Sequence, residues 1–317
     1  MTKRPKIGPM GKQHPKTIRF GTFAQGRFQR TYSLPIPTLG GPTLWGDIRL
    51  SGDYRLQQHA LTKHCRILDR KDRRVFWGDY EQCMDEIATH NTTRPLGQRG
   101  THLVLCLHGI FRAKGAMKPM EQHFIRQGYN AWAINYPSTL RSISDHTHQI
   151  TNILNHCDGV KHVSFVCHSM GGLVARAVLA DPTASWRTKV TPHRLVMIGT
   201  PNQGAFVARE LQKRTRLFRM LAGPSSMDLT PEWVNQLAIP DIQFGIVAGG
   251  TGTNMGFNPF LPGDNDMTVT VSSAQLEGAL DFMHCRAIHT FIMQNAKVID
   301  ASIRFIDKGT FTQDNTG

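Results

Sequence analysis

The chain has 317 residues, of which 40% are hydrophobic, and a formal net charge of +14 at pH 7. This length suits one large domain with an appendage or two smaller domains, and the apolar content suffices for a substantial core. No apolar run reaches the roughly 18 residues of a membrane span, and the aromatic spacing resembles no nucleic-acid-binding module, so we expect neither a membrane span nor a specific nucleic-acid partner.

The first 30 residues are basic: they contain eight lysines and arginines and no acidic residue. Such a segment is either a solvated arm or a tether to an anionic surface, for example lipid. It lacks the apolar stretch of a secretory signal, so we expect a cytoplasmic protein that can contact an anionic membrane surface peripherally. The six cysteines form no CxxC pair, which predicts free thiols and no metal site.

Strand-like pieces at residues 64–68 and 74–77 flank a polar turn and predict a β-hairpin. Asp79 can cap a short helix over residues 80–88, and residues 91–100 are typical of a linker. The prediction is therefore an N-terminal part, residues 1–97, made of a basic arm and a small hairpin and helix extension.

The remainder, residues 98–317, alternates strands with helices. The predicted strands are 102–107, 130–136, 163–167, 194–198 and 242–247, with a short one near 281–283. The predicted helices are 117–127, 142–156, 170–180 and 291–306. This alternation predicts an α/β fold with a doubly wound, mostly parallel sheet whose active groups lie at the carboxyl ends of the strands.

The segment Val163 to Arg176 contains the strongest functional signal. An apolar strand stops at His-Ser-Met-Gly-Gly, and a helix follows. A serine at such a corner, here Ser169, is held on a strained bend with its hydroxyl exposed, as in a nucleophile elbow. The amide of Met170 then lies at a helix N-terminus and can donate to an oxyanion. Cys167 occupies the position where this motif usually has a glycine.

A second turn, His-Gly-Ile at 108–110, follows the first strand of the main domain. A turn there brings the amide of Ile110 opposite the serine as the other half of an oxyanion hole, although an ordinary strand-to-helix turn has the same sequence features.

A serine nucleophile needs a base, and the base needs an acid. Asp266 and His289 follow later strands in the order that this architecture uses, Ser-Asp-His. Asp264 and His284 are rivals for the two roles. We expect His168, next to the serine, to point away by strand alternation and to serve in packing.

Four motifs together resemble the bacterial lipase and esterase branch of the α/β-hydrolase superfamily, of the triacylglycerol lipase LipA/EstA type. They are HGI at 108–110, HSMGG at 168–172, NDMTV at 265–269 and IHTFI at 288–292. The resemblance spans about residues 100–306 and implies an α/β-hydrolase catalytic domain. It implies Ser169 as nucleophile, His289 as base, Asp266 as acid, and the amides of Ile110 and Met170 as the oxyanion hole.

The expected activity is hydrolysis of an ester or lipid-like small molecule through an acyl-enzyme, with no cofactor. An acyltransferase or thioesterase would use the same residues, and a non-catalytic, hydrolase-like binding module is the alternative outside enzymology. Residues 205–221 form an amphipathic basic pattern, which indicates either an ordinary surface helix or a mobile cap that opens at an anionic lipid surface.

Overall fold

The computed structural model describes residues 41–93, 95–204 and 224–313. These residues form a four-stranded antiparallel sheet, the small sheet, and a six-stranded parallel sheet, the large sheet. The small sheet has the order β1-β2-β3-β4, and the large sheet has the order β10-β9-β8-β7-β5-β6. The α/β fold with a mostly parallel, doubly wound sheet and an N-terminal extension is therefore confirmed.

The strands of the small sheet are Trp45–Ser51 (β1), Tyr54–His59 (β2), Cys65–Asp69 (β3) and Arg74–Gly78 (β4). Those of the large sheet are His102–Leu107 (β5), Asn130–Ile134 (β6), His162–His168 (β7), Thr191–Ile198 (β8), Gln243–Gly250 (β9) and Asp281–Arg286 (β10).

The longer helices are Tyr80–Thr93 (α1), Lys118–Arg126 (α2), Ile143–Asn155 (α3), Met170–Leu179 (α4) and Ala296–Lys308 (α8). Three helices of one turn are Pro224–Met227 (α5), Pro231–Val234 (α6) and Val271–Ala274 (α7). No helix among the described ranges is both long and apolar enough to cross a membrane.

Helices cover both faces of the large sheet, and side chains alternate between these two faces along each strand. Leu105 and Phe165 pack on one face with residues of α3 and α4. Val104 and Val166 pack on the other face with residues of α2 and α8. Helices on both faces explain why these strands are almost continuously apolar in the sequence. All six cysteines are buried and free, as predicted.

Two predicted helices differ from those observed. The predicted helix 80–88 continues to Thr93, into the segment interpreted as a linker, because the first residue that cannot continue a helix is Pro95. The predicted helix 291–306 begins only at Ala296, because the Asn295 side chain accepts a hydrogen bond from the Lys297 amide at 2.9 Å and caps it. The basic arm and the amphipathic pattern at 205–221 lie outside the described residues.

The small sheet packs against β6, the edge strand of the large sheet. Arg55 Nη1 donates to the Ala133 carbonyl at 2.9 Å, and Arg70 Nη1 donates to the Ala131 carbonyl at 2.9 Å. Arg70 also lies over the Trp132 ring, 3.8 Å from its centroid. Side chains of the small sheet thus satisfy backbone groups that an edge strand would otherwise leave unpaired.

Candidate active site

Ser169 lies at the corner between β7 and α4 with φ 55° and ψ −126°. This backbone conformation is strained for a residue other than glycine, and such strain is concentrated at functional sites. The Ser169 amide donates to the Ile198 carbonyl at 2.9 Å. A Cβ at position 171 would lie 2.6 Å from the Leu107 carbonyl oxygen, so the helix after the corner needs a glycine there. The sharp bend expected of a nucleophile elbow is present.

Cys167 takes the position that this motif usually gives to glycine. Its side chain is fully buried and hydrogen-bonds the Leu107 backbone. Burial raises the pKa of the Cys167 thiol well above its ordinary value, so the group stays a neutral thiol. The corner therefore accommodates a cysteine as a small buried side chain.

Three side chains from distant parts of the chain meet at this corner. His289 Nε2 lies 2.9 Å from Ser169 Oγ, and His289 Nδ1 lies 2.7 Å from Asp266 Oδ2. A histidine that donates from Nδ1 to the carboxylate can accept the serine proton at Nε2. The arrangement can therefore activate the serine hydroxyl as a nucleophile.

Asp266 is held rigidly. Its carboxylate is 1% exposed, and Oδ1 accepts hydrogen bonds from the amides of Thr268 at 3.0 Å and Val269 at 2.7 Å. The His289 amide donates to the Asp266 carbonyl at 2.8 Å, which ties the two loops together. Oδ2 is thereby directed at the imidazole.

Gly199, at the end of β8, leaves space for this pair. It has φ +57°, and a Cβ there would lie 3.2 Å from His289 Nδ1 and 3.3 Å from Asp266 Oδ2. The only local signal for this glycine is the Gly-Thr-Pro-Asn-Gln-Gly turn at 199–204, after the strand that follows the elbow.

The two rivals, Asp264 and His284, bind each other instead. His284 Nε2 lies 3.0 Å from Asp264 Oδ2, and Asp264 also accepts hydrogen bonds from the amides of Thr251 at 2.7 Å and Gly252 at 2.9 Å. This pair fixes the loop after β9, whereas His289 contacts the serine and Asp266 contacts His289.

The backbone of the loop after β5 passes close to the serine. A Cβ on Gly109 would lie 2.9 Å from Ser169 Cβ, so the next amide, that of Ile110, lies in the immediate neighbourhood of the nucleophile. Among the described residues, no hydrogen bond takes up the Ile110 amide. Met170 is the first residue of α4, where an amide has no partner within the helix. Both amides are thus suited to receive an anion.

His168 does not point away from the site, which corrects the prediction from strand alternation. Its Nε2 lies 3.0 Å from the His289 carbonyl oxygen, and the two rings are 4.8 Å apart. The side chain is buried, and burial, followed by the charge of His289, lowers the pKa of His168 well below its ordinary value. His168 is therefore a neutral donor that supports the backbone of His289.

Thr200 is a further residue that sequence reasoning missed: its Oγ1 donates to the Ser169 carbonyl at 3.1 Å. No local sequence pattern marks the contact of His168 with His289 or that of Thr200 with Ser169, because each joins segments far apart in the sequence. In the described part of the chain, no group of three or more His, Cys, Asp or Glu side chains is arranged to hold a metal ion.

Solved structures similar to this chain include two of a bacterial lipase. Bacillus licheniformis lipase BlEst2 in its mature form is 18% identical with a TM-score of 0.53, covering 64% of this chain and 91% of that one. The propeptide form of the same lipase is also 18% identical with a TM-score of 0.52, covering 68% of this chain and 51% of that one. The product of the gene lin2722 from Listeria innocua is 16% identical with a TM-score of 0.47, covering 68% and 97%.

At this identity the likeness to BlEst2 establishes the fold alone, the α/β-hydrolase fold. No curated protein matches the chain. A family profile described as a domain of unknown function, DUF7379, matches residues 67–239, which is more than half of the 317 residues. The chain therefore belongs to the DUF7379 family.

Proposed function

We propose that this protein is a serine carboxylic-ester hydrolase, an esterase or lipase of the α/β-hydrolase type, that acts through an acyl-enzyme on Ser169. The observation that carries the proposal is the continuous hydrogen-bonded series from Ser169 through His289 to the buried Asp266, at 2.9 and 2.7 Å. The four motifs that resemble the LipA/EstA type of lipase also support it. In this proposal residues 98–317 are the catalytic domain and residues 1–97 are an extension of it.

The mechanism follows from the geometry. His289 accepts the hydroxyl proton as Ser169 Oγ attacks the ester carbonyl, and Asp266 stabilises the imidazolium that forms. The oxyanion of the tetrahedral intermediate accepts hydrogen bonds from the amides of Ile110 and Met170, each of which contributes about 3 kcal/mol to transition-state stabilisation.

Collapse of the intermediate transfers the His289 proton to the departing alkoxide and leaves an acyl ester on Ser169. A water molecule then attacks this ester while His289 accepts its proton. The bond from the acyl carbon to Ser169 Oγ breaks as His289 returns the proton to Oγ, and the carboxylic acid is released. No step requires a cofactor.

The proposed substrate is an ester or lipid-like small molecule with an apolar acyl part. Three exposed apolar side chains directly follow or flank the site residues: Phe111 after Ile110, Met267 after Asp266, and Phe291 two residues beyond His289. Apolar groups at the carboxyl edge of the sheet can bind an acyl chain by excluding water from it.

A series of p-nitrophenyl esters of increasing acyl length tests the proposal. Ser169→Ala and His289→Ala should each lower kcat/KM by at least about 10³-fold, and Asp266→Asn should be comparably severe or somewhat milder, since the three groups act as a unit. Ser185→Ala, a serine in the turn before β8, is the matched control and should keep wild-type activity.

Labelling with a fluorophosphonate separates an enzyme from a binding module. The wild type should be labelled stoichiometrically and Ser169→Ala should not. If the wild type is inert towards both esters and phosphonate, the chain is not a serine hydrolase. If phosphonate labels Ser169 but an added alcohol or thiol captures the acyl group faster than water does, the activity is acyl transfer. Preferential turnover of thioesters would indicate a thioesterase.

A further inference from the structure

The loop that carries Ile110, residues 108–117, is here named the oxyanion loop. Its first end is fixed by Tyr136: the Tyr136 ring stacks on the His108 ring with centroids 4.0 Å apart, and the Tyr136 hydroxyl donates to the His108 carbonyl. The two residues lie just beyond the ends of neighbouring strands of the large sheet, His108 after β5 and Tyr136 after β6. It fixes the loop on the side that joins β5.

The second end of the oxyanion loop is fixed by the small sheet. Lys114 Nζ lies 2.5 Å from Oδ2 of Asp72, a residue of the turn between β3 and β4. The Lys114 amide donates to Asn135 Oδ1 at 2.9 Å, and Asn135 Nδ2 donates to the Pro42 carbonyl at 2.6 Å. Both the side chain and the backbone of Lys114 are thus connected to the N-terminal extension.

The backbone between these two points is strained. Phe111 has φ +60°, a conformation that side chains other than those of glycine, asparagine and aspartate rarely adopt, and the Phe111 ring is 53% exposed. An exposed ring receives little packing that could hold the conformation. Strain of this kind persists only when the surrounding contacts determine it. These contacts are those at the two ends of the loop and, next to Phe111, a hydrogen bond that Ser138 Oγ donates to the Arg112 carbonyl at 3.4 Å.

The ionic contact at the second end has no simple substitute. Lys114 is only 9% exposed, and burial, followed by the charge of Arg55, lowers its pKa, while Asp72 opposes both effects. Burial raises the pKa of Asp72, but hydrogen bonding and attraction from Lys114, together with the charges of Arg55 and Lys118, hold the pKa below its usual value. Loss of the Asp72 charge would leave a buried ammonium poorly compensated, and the loop would move to hydrate it.

We propose that the small sheet positions the oxyanion hole: Asp72, through its contact with Lys114, holds the oxyanion loop so that the Ile110 amide faces the serine. Asp72 and Lys114 are positioning residues that do not contact the substrate. The inference rests on the proposed function, and it assigns the N-terminal extension a role in catalysis.

Asp72→Asn tests the proposal, because it removes the charge while keeping the size of the side chain. We expect kcat for a short p-nitrophenyl ester to fall about tenfold with KM within twofold, since an oxyanion donor acts on the transition state. A trifluoromethyl ketone, whose adduct with the serine carries an oxyanion, should bind about tenfold more weakly. A residue that merely supports the fold would not selectively weaken this inhibitor.

The matched control is Asp53→Asn. Asp53 lies in the turn between β1 and β2 of the same sheet. It forms ion pairs with Arg99, which lies outside that sheet, and with Arg70, and none of these described ion pairs involves the oxyanion loop. Its variant should keep kcat and inhibitor affinity at wild-type values. In a double-mutant cycle, Lys114→Gln combined with Asp72→Asn should cost little more in kcat than either change alone, because both break the same contact.

An active wild type in which Asp72→Asn and Asp53→Asn show equal kcat and equal inhibitor affinity overturns the positioning role and leaves the proposed function intact. Additive losses in the double variant overturn it as well. A wild type that neither hydrolyses esters nor reacts with phosphonate overturns the proposed function and this inference together.

Discussion

Gly199→Ala is the substitution that most directly probes the geometry of the candidate site. The glycine has φ +57°, and the added methyl group would lie 3.2 Å from His289 Nδ1 and 3.3 Å from Asp266 Oδ2. Both distances are shorter than ordinary van der Waals contact. The change therefore has two separable consequences, backbone strain and displacement of the histidine and aspartate.

The magnitudes can be worked from these values. Holding an alanine in the left-handed region costs about 1–2 kcal/mol, which should lower the Tm of a chain of this size by roughly 2–8 °C. Relief of the close contacts requires the imidazole or the carboxylate to move by a few tenths of an ångström. Since a misplacement of about 1 Å can cost 10²-fold in rate, this smaller one should lower kcat/KM by roughly tenfold.

Gly128→Ala is the matched control, because Gly128 has φ +86° and a Cβ there meets nothing within 4 Å. It imposes the same kind of strain far from the site, so its Tm should fall similarly while kcat/KM for p-nitrophenyl butyrate stays at the wild-type value. Thermal unfolding followed by circular dichroism and initial-rate kinetics measure the two effects separately. Equal activity of the two variants would refute the reasoning, since strain alone would then account for Gly199→Ala.

Three further predictions concern the choice of the proposed catalytic residues, the pH dependence of stability and a buried charge. His284→Ala and Asp264→Asn should each keep ester hydrolysis within about tenfold of wild type in initial-rate assays, because these residues bind each other and not the serine; a loss as large as that of Ser169→Ala would transfer the catalytic roles to them. Burial, followed by the charge of His108, lowers the pKa of His146 to about 3. Below about pH 6.5 the unfolded chain therefore binds a proton on this residue that the folded chain does not bind. The free energy of unfolding accordingly falls as the pH drops from about 6.5 towards 3. In urea unfolding, the free energy of unfolding of His146→Gln should fall between pH 7 and 4.5 by about 2 kcal/mol less than that of the wild type. An identical pH dependence of the two proteins would contradict the role given to His146. Asp47→Ala removes the carboxylate that lies 2.8 Å from Arg55, a side chain that is only 1% exposed, and should lower the free energy of unfolding by about 3–5 kcal/mol in the same urea assay. The control Asp241→Ala breaks an ion pair at the surface and should lower it by less than about 1 kcal/mol.

The sequence predicted the large sheet well because its signals are local. Strands β5 and β7 are apolar over nearly their whole length, and the helices between strands show apolar residues at helical spacing. The small sheet was predicted only in part. Its first two strands bury polar side chains, Asp47, Arg55 and Gln57, which satisfy one another by hydrogen bonds. Such strands lack the alternation of apolar and polar residues by which a strand is recognised.

The candidate site, like the fold, could be predicted from the sequence only in part. The sequence by itself determined the corner at Ser169, since a strand, two glycines and a helix within a few residues specify that bend. It also supplied two candidate acids and two candidate histidines, each pair separated by only a few positions. Which of them serves the serine was decided by the tertiary structure. The loop after β10 brings His289 to Ser169 and the loop after β9 brings Asp266 to His289, whereas Asp264 binds His284 on β10. The contact of Lys114 with Asp72 joins residues 42 positions apart and has no local signature, because only the packing of the small sheet on β6 brings the two charges together.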